Sequence, residues 1–147
     1  MSVITHALVE RLRADFRLDW HGVHGVSHWA RVRVNGLAIA RVTGACTKVV
    51  ELFAFVHDSC RVSDYEDARH GGRAAAYAET LRGAYFDLDD DGMALLQQAC
   101  AMHSDGLRDG HPTVQACWDA DRLDLGRVGI EPDPRYLCTS AARNADF

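Results

Sequence analysis

Residues 49–58 read VVELFAFVHD, and whether that run is a helix or a strand decides the fold. An unbroken apolar block rich in Val and Phe suits a buried strand as well as a buried helix, because periodicity alone does not separate the two. Its continuation through His57 and Asp58 to Ser59 favours a helix, the central and mostly buried one. Counting back from His57 on a helical repeat, Ala54, Phe53 and Val50 lie at i−3, i−4 and i−7, so the histidine extends the apolar stripe. Asp58 follows about 100° further round, close enough for both side chains to reach one point past the helix end. A carboxylate at such an apolar edge is costly unless positive charge accompanies it.

Outward from this segment, 3.6-residue periodicity predicts helices near 2–17, 28–43, 69–83, 92–103 and 112–123 beside the central 47–59, with a short one at the C-terminus. All three prolines lie at or beyond Pro112, which leaves the first two-thirds free for long helices. Ser27 is expected to cap the helix that His28 begins, Asp89 to Asp91 to cap the fifth, and Pro112 to occupy a first helical position. The loops at 18–26, 60–68, 84–91 and 104–111 are short and polar. The expectation is an all-α bundle of six or seven helices, one domain over residues 1–147, long enough to bury a core without staples.

Composition narrows the function classes. With 48% hydrophobic and 25% charged residues, the chain reads as an ordinary globular protein. Its longest apolar run, LFAFV, is far too short to span a bilayer, and no leader or lipidation signal is visible. No membrane partner and a cytoplasmic location are therefore expected. A net charge of −5 argues against binding a nucleic acid polymer, which needs a basic face. The fifteen arginines against one lysine fit codon bias, or in part forked contacts to phosphate oxygens. Five cysteines without a C-x-x-C pair make structural zinc and a disulfide frame poor bets; Cys100 and Cys117 read as small buried side chains.

The stripe that carries His57 has counterparts. His103 follows Ala99 and Leu96 at i−4 and i−7, and Asp121 follows Cys117 and Val114 at the same spacings. His70 precedes Ala74, Tyr77 and Leu81 along one face, and His28 precedes Val32 and Ile39. Five helices can thus aim polar groups at one interior locus, a recurrent way of building metal sites in bundles. Each histidine taken alone reads more readily as a core residue bonded to a backbone carbonyl than as a ligand; only the ordered set points to a ligand cage.

That order, His28, His57-Asp58, His70, His103 and Asp121, resembles the HD superfamily of metal-dependent phosphohydrolases over nearly the whole chain. The matching blocks are LFAFVHDSCR, EDARHGGRAAAYAETLRG, ACAMHSDG and CWDADRLDLGRVGI. The first and last blocks, HGVHGVSHWARV and DADRLDLGRVGI, look like a subgroup of small single-domain members. The resemblance implies that His28, His57, Asp58 and Asp121 hold one divalent metal. It implies that His70 and His103 match the two extra histidines of the binuclear branch, with Asp58 bridging both ions. One or two transition-metal ions follow, and nitrogen and carboxylate donors without thiolate suit Fe, Mn, Ni, Co or Zn. The implied activity is hydrolysis of a small phosphorylated compound, nucleotides included, with Asp58 orienting water or taking its proton. Substrate phosphate is assigned to Arg61, Arg73 and Arg122, and the pocket mouth to His24 and, with it, His21. Alternatives are a non-catalytic HD module that binds a nucleotide or partner, and a di-iron oxygenase. Asp119 and Asp124 are left outside the ligand set, Trp29 and Trp118 are read as core, and DLDDDG as a solvated helix start. The oligomeric state is left open.

Overall fold

The computed structural model describes residues 2–144, and the run that opened the question is helical: Val49 to Val56 lie in a helix and every one of them is buried. Among the described residues there are seven α-helices and no strand: α1 His6–Asp15, α2 Val26–Thr43, α3 Thr47–Val56, α4 His70–Leu81, α5 Asp90–Met102, α6 Pro112–Arg122 and α7 Ser140–Arg143. An isolated Arg82–Phe86 bridge is the nearest approach to a sheet. The bundle is all-α, as expected.

Helix α3 packs against α2, α5, α6 and α4. Each fully buried Val, Leu or Phe on it contributes roughly 1.5–3 kcal/mol, which favours a helix in the middle over one at the rim. Glu51 is tolerated there because its Oε2 accepts from Arg33 Nε and Ser2 Oγ, both at 2.6 Å.

The ends of the helices differ from the sequence reading in ways that local chemistry explains. Helix α3 stops at Val56 rather than Ser59, because the Ser59 hydroxyl donates to the Val56 carbonyl (2.7 Å) and turns the chain. Helix α2 starts at Val26 with Gly25, not Ser27, as its N-cap. The segment before it is already closed, by Gly22 N–H to Asp19 O at 2.9 Å and Val26 N–H to Trp20 O at 2.8 Å. That closure needs glycine, since a Cβ on Gly25 would sit 2.2 Å from the Trp20 carbonyl oxygen. Helix α1 begins only at His6, where the Thr5 hydroxyl caps Leu8 N–H. The expected caps hold at α5, where Asp89 accepts from Gly92 N–H (2.7 Å), and at α6, whose first residue is Pro112.

After α6 the chain makes two short 3₁₀ turns, Leu125–Val128 and Pro134–Tyr136, before α7. Buried Asp119 pins this return: its carboxylate accepts from Cys138 N–H (2.7 Å), Thr139 N–H (2.9 Å) and the Thr139 hydroxyl (2.8 Å). Trp29 and Trp118 are fully buried, their indole N–H groups donating to the His24 and Ala99 carbonyls. Cys100 and Cys117 are likewise core residues.

The approach of α4 to α5 is set by Gly71, where an added Cβ would lie 2.4 Å from the Cys100 carbonyl oxygen. Backbone has to move to admit it. Gly71→Ala is expected to destabilise the fold by about 1–3 kcal/mol despite alanine's better helix propensity. Urea unfolding of the variant beside the wild type measures this, and an unchanged midpoint would show that the two helices separate freely.

Candidate metal centre

Six side chains from five separate stretches meet inside the bundle. His28 comes from the first turn of α2, and His57 and Asp58 from the turn that ends α3. His70 opens α4, His103 follows α5, and Asp121 lies in the last turn of α6. The exposures of His28, His57, Asp58 and His70 are 0%, 0%, 2% and 1%, which removes water as their partner.

The six donor groups form two sets that share Asp58. In the first, His28 Nε2 lies 3.1 Å from His57 Nε2, 3.3 Å from Asp58 Oδ2 and 3.2 Å from Asp121 Oδ1, and His57 Nε2 is 3.4 Å from both carboxylates. In the second, His70 Nε2 and His103 Nε2 are 2.8 Å apart and lie 3.2 and 3.4 Å from Asp58 Oδ1. Ligands at bonds of about 2.0–2.2 Å and tetrahedral or octahedral angles stand roughly 2.8–3.5 Å apart, so the spacing fits a transition-metal ion in each set. Asp121 Oδ1 is buried with no hydrogen-bond partner, an orphan that a cation would satisfy.

The tautomers point the same way. His57 Nδ1 donates to the Phe53 and Ala54 carbonyls, each at 3.0 Å. His70 Nδ1 donates to Asp67 O, and His103 Nδ1 to Cys100 O at 2.8 Å. His28 Nδ1 faces Asp124 Oδ2 at 2.7 Å. With every Nδ1 committed, each Nε2 offers a lone pair inward, and lone pairs at such spacing repel unless a proton or a metal stands between them. His57 is further fixed by stacking on Phe53, at 4.7 Å between ring centroids.

Electrostatics confirm that the cage calls for positive charge. Burial disfavours a charged His57, but the Asp58 and Asp121 carboxylates outweigh it and push its pKa up to about 10. Burial pushes the Asp58 carboxyl up, yet His57 and hydrogen bonds from His103 and His28 hold it well below the usual range. Asp121 behaves likewise, burial being overcome by His57 and His28.

No protein-family model, curated protein or solved structure matches the chain. The case for a metal centre rests on these buried His and Asp groups, which can hold an ion.

Around the cage, the structure separates the other expected residues. His24 is buried, its Nδ1 on Asp64 Oδ1 at 2.8 Å and its pKa lowered by burial; His21 is exposed. Arg61 reaches the cage, Nε lying 3.3 Å from Asp58 Oδ1. Arg73 is committed elsewhere, to both Asp67 oxygens and the Cys60 carbonyl. Arg122 spends its donors on the Leu107 and Tyr136 carbonyls and stacks 5.7 Å from the Trp118 ring centre. A cavity of about 540 Å³ opens over the two most accessible ligands, His103 and Asp121, and Arg122 lines it beside Leu125, Ile130, Tyr136 and Leu137.

Two residues outside the ligand set matter here: Asp124, which the sequence reading placed outside it, and Arg127, which it did not single out. Asp124 does not face the ions' positions, yet it orients His28 and is itself held by Arg31 Nε at 2.7 Å. Its signal was its place three residues after Asp121. Arg127 donates to the Val23 and Asp124 carbonyls and brings Nη2 to 3.9 Å from Asp121 Oδ1. It lies in a 3₁₀ turn that no periodicity announces.

Asp124→Ala is expected to weaken metal binding about 10–100-fold by freeing the His28 ring, read by competition with a chromophoric chelator. Metal uptake at neutral pH should release protons, because ions displace whatever protons occupy Nε2. Since His57 carries a raised pKa without metal, affinity should rise with pH and fall as acid refills that position. Metal titration in a weak buffer containing a pH indicator checks the sign.

Proposed function

We propose that the chain is a metal-dependent phosphohydrolase of the HD type, acting on a small phosphorylated compound. The observation that carries this reading is the buried pair of donor sets joined through the two oxygens of Asp58. His28, His57, Asp58 and Asp121 would hold one divalent ion, and His70, His103 and Asp58 a second. Ions bound there supply Lewis-acid polarisation of a phosphoryl oxygen and lower the pKa of water.

The chain's own residues supply the rest. Asp124 and the carbonyls of Phe53, Ala54, Cys100 and Asp67 lock the imidazoles, so no reorganisation is needed during reaction. Asp58, fully engaged on both oxygens, serves to position rather than to shuttle protons freely. The 540 Å³ cavity beside Asp121 and His103 is large enough for a small organic body. Arg127 brings its guanidinium to 3.9 Å from Asp121 Oδ1.

The mostly apolar cavity wall favours a second reading, a di-iron oxygenase acting on a small organic molecule. No helix among the described residues is long and apolar enough to cross a membrane.

Elemental analysis and turnover of generic phosphate esters with added Mn or Ni test the proposal together. The wild type is expected to hold close to two ions per chain, with His57→Ala and Asp58→Ala near zero and inactive. Equal metal in all three proteins overturns the metal site. Iron with a visible chromophore and no ester turnover selects the oxygenase.

A further inference from the structure

On the far side of Arg61 from the metal-facing cavity lies another, of about 300 Å³, lined by Asp15, Arg17, Ser59, Arg61, Arg73 and Tyr77 among others. Its lining includes none of the six cage ligands, and Arg61 links it to Asp58. Three guanidiniums border it. Arg17 has no ion-pair or hydrogen-bond partner among the described residues. Arg61 spends Nη1 on the Ser63 and Tyr65 carbonyls and Nε on Asp58, leaving Nη2. Arg73 spends Nε and Nη2 on Cys60 O and Asp67, leaving Nη1.

The carboxylates nearby are already matched. Asp15 accepts from Arg11 Nη2 and from the Tyr77 hydroxyl, both at 2.6 Å. Asp67 takes Arg73 and Val62 N–H. Arg17 is the unmatched charge, while Arg61 and Arg73 are held rigidly by the loop they support, so their remaining N–H groups are ordered before anything binds.

We propose that this cavity is an oxyanion site that takes inorganic phosphate or the phosphate group of a small molecule, separate from the cavity over the cage. Forked guanidinium donors suit a tetrahedral dianion, and the volume sits at the low end for small-molecule sites. Arg61 couples it to the centre. A cation in the cage offsets Asp58 and frees the charge of Arg61 for the anion, so metal and anion strengthen each other's binding reciprocally.

The proposal goes beyond the hydrolase reading and needs no turnover. Calorimetric titration with inorganic phosphate, and in parallel with phenylphosphonate, is run on the protein as purified and after chelation. Wild type should bind one phosphate per chain after chelation, more weakly than with metal present. Arg17→Gln should lose at least about ten-fold in affinity with an unchanged melting curve, since that side chain supports nothing in the fold. In the metal-loaded protein, where bound ions take phosphate themselves, the stoichiometry should fall from two in wild type to one in Arg17→Gln. Tighter binding of phosphonate than of phosphate identifies an esterified ligand, and the reverse identifies the free ion. No binding to the chelated wild type, or equal binding by Arg17→Gln, overturns the site. Failure here leaves the metal content untouched, and failure of the hydrolase reading leaves the titration of the chelated protein untouched.

Discussion

Two carboxylates, buried Asp58 and partly buried Asp121, stand at the centre of the bundle with imidazoles for neighbours, and the rest of the structure answers to that constraint. Isolated charges in such a place would be costly by several kcal/mol each. The fold meets the cost by supplying four Nε2 atoms at 3.2–3.4 Å from the carboxylate oxygens and by leaving room for cations between them. The imidazoles are not free to act as ordinary hydrogen-bond partners, because each Nδ1 is already bound outward.

This explains why the ligands sit at helix ends. A side chain in mid-helix is held to the lateral packing of its own stripe, whereas His57, Asp58 and His103 follow the last helical residues and His70 precedes the body of α4. Close helix contact then sets the scale. Gly71 lets α4 lie against the Cys100 carbonyl, and His70 reaches His103 as a result. Asp119 and Asp124, on the same helix end as Asp121, do different work: one ties down the returning C-terminal segment, the other orients His28. Three aspartates within six residues thus serve as anchor, ligand and support.

The centre has an asymmetric surround. On the side of Asp121 and His103 the walls are mostly apolar and come chiefly from the chain after α6; on the side of Arg61 three arginines stand with Asp15 and Tyr77, from the end of α1 and just beyond it, from α4 and from the turn after α3. Arg61 touches both a cage carboxylate and the second cavity. A change of charge in either place is therefore felt in the other through a single short contact.

Much of the helical framework and the inward direction of the six cage residues were legible in the sequence, because His57, His103 and Asp121 follow apolar residues at i−4 and i−7, His28 and His70 precede them on one face, and Asp58 adjoins His57; only the ordered set, not any single position, pointed to a cage. The VVELFAFV run by itself suited a buried strand as well as a helix, and its continuation into His57 and Asp58 was what favoured the helix and the inward direction. Helix ends were less legible: Gly25 displaced Ser27 as a cap through a turn closed by Trp20, and Ser59 shortened α3 through its own hydroxyl. What only the tertiary structure decided is which arginine meets what. Arg73 and Arg122 are drawn to carbonyls and to Asp67, while Arg127 and Asp124, in stretches without periodicity, come to the cage. The long, flexible arginine side chain carries no directional signal along the chain, and its partner is whichever acceptor the packing of distant helices leaves within reach.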